Sequence, residues 1–125
     1  MSARLKIYFD GGCRPTPGVI ELAVVVRGQE LVLREQGFGT STDAEWLALI
    51  KACRIALSLA IQPFIILGDC APVIDQANGK AKVRGSSRAH REAFQRLVGG
   101  NPPQIRYVKR SQNLAGIALQ KLHPR

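Results

Sequence analysis

Hydrophobic and polar positions alternate partly along residues 4–9, RLKIYF, which are rich in β-formers and predict a strand, and residues 21–27, ELAVVVR, predict a second. Residues 30–38, ELVLREQGF, carry a third such stretch, and Gly28-Gln29 is the tight turn that makes it a hairpin partner of the second. Asp10-Gly11-Gly12 breaks the first strand, and Arg14 to Gly18, with two prolines and a glycine, is loop. From Thr42 the period lengthens. Residues 43–61 hold no glycine or proline, and the polar positions Lys51, Arg54 and Ser58 form one narrow stripe at i, i+3, i+7. A helix so apolar around its circumference lies between a sheet and other helices.

Pro63 ends that helix. The short continuous run 64–67, FIIL, has the pattern of a central strand buried on both faces. Helices are predicted over 71–78, over 87–98 with Ser86 or Ser87 as N-cap, and over 113–122, with a fifth strand at 104–109. The order β-β-β-α-β-α-α-β-α predicts an α/β fold: one domain over 1–125, a five-stranded mixed sheet with helices on both faces.

Composition adds direction. A chain of 125 residues, 46% hydrophobic and 22% charged, suits one soluble core. No apolar run is long enough for a bilayer, and the N-terminus lacks the apolar stretch of a signal peptide, so the expectation is a cytoplasmic protein. Cys13, Cys53 and Cys70 have no metal-ligand spacing and read as reduced thiols. The net charge is +9, unevenly spread: from Gln76 onward eleven Lys/Arg face a single acid, Glu92, whereas the first 75 residues hold seven basic and eight acidic side chains. Such a distribution points to a polyanion partner, nucleic acid by default, with the loop Lys80, Lys82 and Arg84 as a phosphate-gripping surface.

Three acids stand where α/β sheets place their sites: Asp10 and Asp69 at strand ends, Glu45 in the first turn of the long helix. Each has a structural alternative. Asp10 could start a turn, Asp69 could cap a helix, and Glu45 fits a capping box with Thr42. Together they form an oxygen-ligand set suited to a hard divalent cation. Asp43 reads as a favourable first-turn charge and Asp75 as a solvated helix residue. Trp46 and Phe38 follow the apolar pattern of the core, and His90 and His123 read as solvated.

The stretches YFDGGCRPTPG (8–18), GTSTDAEWLALIKA (39–52), ILGDCAPVIDQANG (66–79) and YVKRSQNLAGIAL (107–119) resemble the ribonuclease H family in order and spacing, in particular its compact archaeal and bacterial members. The resemblance implies hydrolysis of the RNA strand of RNA–DNA hybrids with two Mg²⁺ or Mn²⁺ ions, Asp10, Glu45 and Asp69 being catalytic metal ligands. It implies backbone contacts to RNA from Gly11, Gly12 and Cys13. Apart from the resemblance, no membrane or protein partner is expected, and the chain is expected to be a monomer. Ser41 and Thr42 replace the family's asparagine pair, and Ala71 replaces a glutamine. The family's fourth acid lies in a motif N-x-x-A-D. The corresponding run here is Asn113-Leu114-Ala115-Gly116, with Gly116 read as standing at the aspartate. The alternative is a non-catalytic protein that binds RNA–DNA hybrid or other nucleic acid on a degenerate ribonuclease H fold.

Overall fold

The structure, a computed structural model, describes residues 4–59 and 63–123. Strands β1 (Leu5–Cys13), β2 (Gly18–Val26), β3 (Gln29–Leu33) and β4 (Phe38–Gly39) precede the long helix α1 (Ser41–Leu59). Then follow β5 (Phe64–Gly68), α2 (Ala71–Ala77), α3 (Ser87–Val98), β6 (Ile105–Tyr107), a 3-10 turn at Arg110–Gln112 and α4 (Leu114–Gln120). The sheet has six strands in the order β3-β2-β1-β5-β6, with β4 paired to β2. The pairs β1/β2 and β2/β3 are antiparallel, and β1/β5 and β5/β6 are parallel.

The predicted mixed sheet with helices on both faces is what forms. Alternation on β1 explains the layers: Ile7 and Phe9 point into the core under α1, whereas Tyr8 packs with the smaller cluster under α4. On β2, Ile20, Leu22 and Val24 join the α1 core while Ala23 and Val25 face Ala115, Ala118 and Leu119 of α4. Helix α1 buries Ala44, Trp46, Ala48, Leu49, Ala52 and Cys53 and leaves Arg54 and Ser58 outward, as its polar stripe requires.

The structure corrects several expectations. The predicted third strand, 30–38, is two strands: Glu35 and Gly37, at φ 56° and 103°, break the extended backbone between β3 and β4. The β2–β3 turn sits at Arg27-Gly28, both in the left-handed region, one residue before the predicted Gly28-Gln29. Strand β1 runs through Asp10-Gly11-Gly12 to Cys13. Helix α1 starts at Ser41, and the predicted extension to residue 61 lies outside the described residues. Phe38, predicted to be core, is 74% exposed, because it lies on a two-residue strand off the main path of the sheet. Among the described residues no helix is long and apolar enough to cross a membrane.

Candidate active site

Asp10, Glu45 and Asp69 converge, each offering an oxygen within 4.8 Å of the others. Three packing facts produce this. The parallel pairing of β1 and β5 carries Asp10 and Asp69 to the same end of the sheet. Helix α1 then crosses β1 so closely that a Cβ on Gly11 would lie 2.1 Å from the Ala44 carbonyl oxygen. The glycine is therefore demanded by the helix, and it brings the Gly11 N–H to donate to Glu45 Oε1 at 3.0 Å. At Gly12 an added Cβ would meet only Leu119 Cδ2, at 3.8 Å, so no intramolecular packing requires that glycine.

The capping box predicted on Thr42 and Glu45 forms two residues earlier in register. Thr40 Oγ1 accepts from the Asp43 N–H at 3.1 Å, and Asp43 Oδ2 accepts from the Thr40 N–H at 2.9 Å. Glu45 is thus released from capping and points into the site.

The third carboxylate is oriented by the asparagine that opens the N-x-x-A-D run. Asn113, fully buried, caps α4 by accepting from the Ala115 N–H at 3.1 Å. Its amide donates to the Phe9 carbonyl at 3.0 Å and to Asp69 Oδ2 at 3.1 Å. An asparagine directly before a Leu-Ala helix start is an N-cap signature, and that signal was present in the sequence. Replacing Asn113 by Ala removes the cap and leaves the Phe9 carbonyl unpaired. A stability loss of about 2–3 kcal/mol is expected by denaturant titration. A fall of about 10–100-fold in metal affinity should accompany it, because Asp69 loses its orienting partner.

A cleft of about 670 Å³ opens over the three acids. Gly11, Gly12 and Cys13 line it, as do Ser41, Thr42 and Ala71. Tyr107 and Arg110, for which the sequence reading had no role, also border it. Lys80, Lys82 and Arg84 are exposed and lie outside the cleft lining, so the structure does not bring the basic loop to the acids themselves. The three cysteines are free, with Cys13 and Cys70 both on the cleft wall.

Counted from Asn113, the five-residue motif N-x-x-A-D reaches Ile117, one residue beyond Gly116. A Cβ on Gly116 would lie 3.5 Å from Asp10 Oδ2 and 3.6 Å from Asp69 Oδ2, room for the methyl of the motif's alanine. Ile117 lines the same cleft and is 41% exposed. Neither residue supplies a ligand atom.

Burial raises the carboxyl of Glu45 to about 9, with the Asp10 charge adding to the effect. Burial likewise raises Asp10 to about 6, reinforced by Asp69 and partly offset by hydrogen bonding to Glu45 and by the Arg110 charge. Both values lie above those of unfolded carboxyls, so the folded metal-free protein binds protons more tightly than the unfolded chain. That contribution to stability is complete below about pH 4 and is lost as pH rises through about 6 and then about 9. Thermal unfolding in a chelator should therefore show a midpoint that falls across this window. Added Mg²⁺ should raise the midpoint most at the alkaline end, where the carboxylates are free to bind it.

Two histidines read as solvated are not. His123 Nε2 pairs with Glu21 Oε1 at 2.6 Å, and Arg34 holds the other Glu21 oxygen at 2.8 Å. His90 lies beside Trp46, with ring centroids 6.5 Å apart, and meets Asp43 at 3.0 Å.

Comparison with known proteins agrees with this architecture. The family described as reverse transcriptase-like matches residues 9–123. The ribonuclease H1 of the halophilic archaeon Halobacterium salinarum is 27% identical, with a TM-score of 0.82 over 94% of each chain. The N-terminal ribonuclease H domain of a Mycobacterium tuberculosis protein is 23% identical, with a TM-score of 0.78 over 98% of this chain and 100% of that one. The LC11 ribonuclease H1, solved in complex with an RNA/DNA hybrid, is 20% identical, with a TM-score of 0.81 over 93% of each chain. No curated protein matches.

Proposed function

This chain belongs to the ribonuclease H family, and from that membership we propose that it hydrolyses the RNA strand of RNA–DNA hybrids with divalent cations held by Asp10, Glu45 and Asp69. The observation that carries the reading is the convergence of three carboxylate oxygens within 4.8 Å, from three separate elements, at the floor of an open cleft. The donor set fits the ion. It is all oxygen, as Mg²⁺ and Mn²⁺ require, and burial with mutual repulsion raises two of its carboxyls, a cost that a divalent cation would offset. Bound there, a pair of such ions would activate a water and stabilise the leaving oxygen of an in-line displacement.

The chain's own groups then have defined tasks. The Gly11 N–H and the Asn113 amide hold Glu45 and Asp69 in ligating orientation. Arg110, at the cleft border, offers a cation to the phosphate entering above Asp10. The backbone of Gly12 and Cys13 and the hydroxyls of Ser41 and Thr42 line the path of the RNA strand. Contacts of this kind read 2′-hydroxyls and A-form shape, so cleavage carries little sequence preference. Lys80, Lys82 and Arg84 grip phosphates away from the scissile bond. The fourth ligand position falls at Ile117, and the chain acts as one domain with three carboxylates.

The test is hydrolysis of an end-labelled RNA–DNA hybrid with Mg²⁺ or Mn²⁺. Cleavage confined to the RNA strand is expected, and an uncut hybrid in both metals at any enzyme level overturns the reading. A second reading, a hybrid binder without turnover, is favoured by the absence of a carboxylate at both Gly116 and Ile117. It requires salt-sensitive binding that is unaffected by metal.

A further inference from the structure

Ser86 occupies the N-cap position of α3 but does not cap it. Its backbone is helical, at φ −61° and ψ −22°, and its side chain makes no cap hydrogen bond. Instead the hydroxyl donates across to Asp43 Oδ1 at 2.6 Å. His90, one turn further along α3, brings Nε2 to the same oxygen at 3.0 Å. The other oxygen of Asp43 accepts from the Thr40 N–H at 2.9 Å and from its hydroxyl at 3.1 Å. One carboxylate in the first turn of α1 therefore holds the start of α3 as well as its own helix end. Gly39 is part of the arrangement, since a Cβ there would lie 2.6 Å from Asp43 Oδ2. Burial would push the Asp43 carboxyl up, but these hydrogen bonds, Ser86 foremost, outweigh it and hold the group at about 2, ionised at any physiological pH.

A second relay runs in parallel. The buried Trp46 donates from Nε1 to Gln76 Oε1 at 3.2 Å, and Gln76 Nε2 donates to the Lys82 carbonyl at 3.2 Å. The segment from Lys80 to Ser86 is thus tied at its middle and its end to α1, two residues from Glu45 on one side and one residue from it on the other.

We propose that Asp43 is a positioning residue for substrate binding: through Ser86 and His90 it sets where Lys80, Lys82 and Arg84 stand relative to the metal-ligating turn of α1, so that these cations meet a duplex whose scissile phosphate lies over Asp10, Glu45 and Asp69. The inference rests on the nucleic-acid reading above. A loop of this length with three cations and no internal ladder would otherwise lose affinity to its own ordering entropy. Two side-chain relays remove that cost before the nucleic acid arrives.

The double variant Ser86→Ala/His90→Phe breaks the crossing to α3 while leaving the Thr40–Asp43 cap and the ring beside Trp46. Binding of a 20-bp RNA–DNA hybrid in chelator should weaken about tenfold, with a log–log salt slope shallower by about 1, the loss of one aligned phosphate contact. Turnover at saturating hybrid with Mg²⁺ should stay within about twofold, because Glu45 does not move. The decisive comparison is Lys82→Ala/Arg84→Ala placed in both backgrounds. It should cost about tenfold in affinity in the native background and less than about twofold in the double variant. Equal costs in the two backgrounds, with hybrid bound in both, overturn the proposal and leave the function reading standing. Failure of the native protein to bind hybrid overturns both. Should the double variant not fold, Ser86→Ala alone carries the same comparison, and additive losses there are equally fatal.

Discussion

Asp10→Asn should abolish metal-dependent cleavage, lowering the rate at least about 10³-fold. The neutral amide removes one of three charges that hold the ions, and the loss of several kcal/mol of charge stabilisation at 1.36 kcal/mol per tenfold amounts to three decades or more. The same change should stabilise the metal-free fold. Burial and then the Asp10 charge raise Glu45, and Asp10 is itself raised by burial and by Asp69, so neutralising it relieves repulsion inside the cluster. A variant that is inactive yet melts higher in chelator is the combined signature. If Asp10→Asn retained most of the activity, the three-acid cluster would not be the catalytic centre. A folded variant that loses both activity and metal-free stability would point to an architectural role for Asp10.

Ile117→Asp should raise activity at low metal concentration by about 10–100-fold, and Gly116→Asp should not match it. Restoring a carboxylate at the cleft wall supplies the ligand charge that the native chain lacks, and affinities of hard cations rise with ligand charge count. At Gly116 the new side chain would start from a Cβ 3.5–3.6 Å from two existing carboxylate oxygens. It would have no room to reach around an ion, and like charges at that distance repel. Cleavage rates of the hybrid across a Mn²⁺ titration distinguish the two. A larger gain from Gly116→Asp would place the fourth ligand position at Gly116 after all. The extra charge has a counterpart in stability: Ile117→Asp should melt lower than the native protein in chelator and regain the difference when metal is added.

Much of this molecule could be read from periodicity. The polar stripe of α1 and the continuous apolar run of β5 are dictated by which surfaces they bury, so both were legible. Asp10-Gly11-Gly12 was misread as a strand break because Asp and Gly are depleted in strands on average. The reason those glycines interrupt nothing is tertiary: α1 lies so near that a side chain at residue 11 would strike its backbone. The capping box was ambiguous in the sequence itself, since Thr40-x-x-Asp43 and Thr42-x-x-Glu45 both spell it. Only the start of the helix at Ser41 decides between them. His90 and His123 looked solvated because their partners, Asp43 and Glu21, are distant in the chain and carry no local mark. Glu45 and Asp69 were found because they sit near the start of α1 and just past the end of β5, and Asp10 was found at a strand end that the structure moves on to Cys13. Asn113 was under-read because its task depends on Phe9 and Asp69 at once.

That last residue has a consequence for how the protein is born. Asn113 donates to a carbonyl 104 residues earlier in the chain. During synthesis the ribosome will have delivered β1, α1 and β5, and with them all three acids, well before Asn113 and α4 emerge. Until then Asp69 has no clamp and the sheet face under α4 stays open. The nascent chain can therefore carry all three clustered carboxylates while attached to its own messenger before Asp69 is clamped. The clamp on Asp69 arrives only with Asn113 and α4.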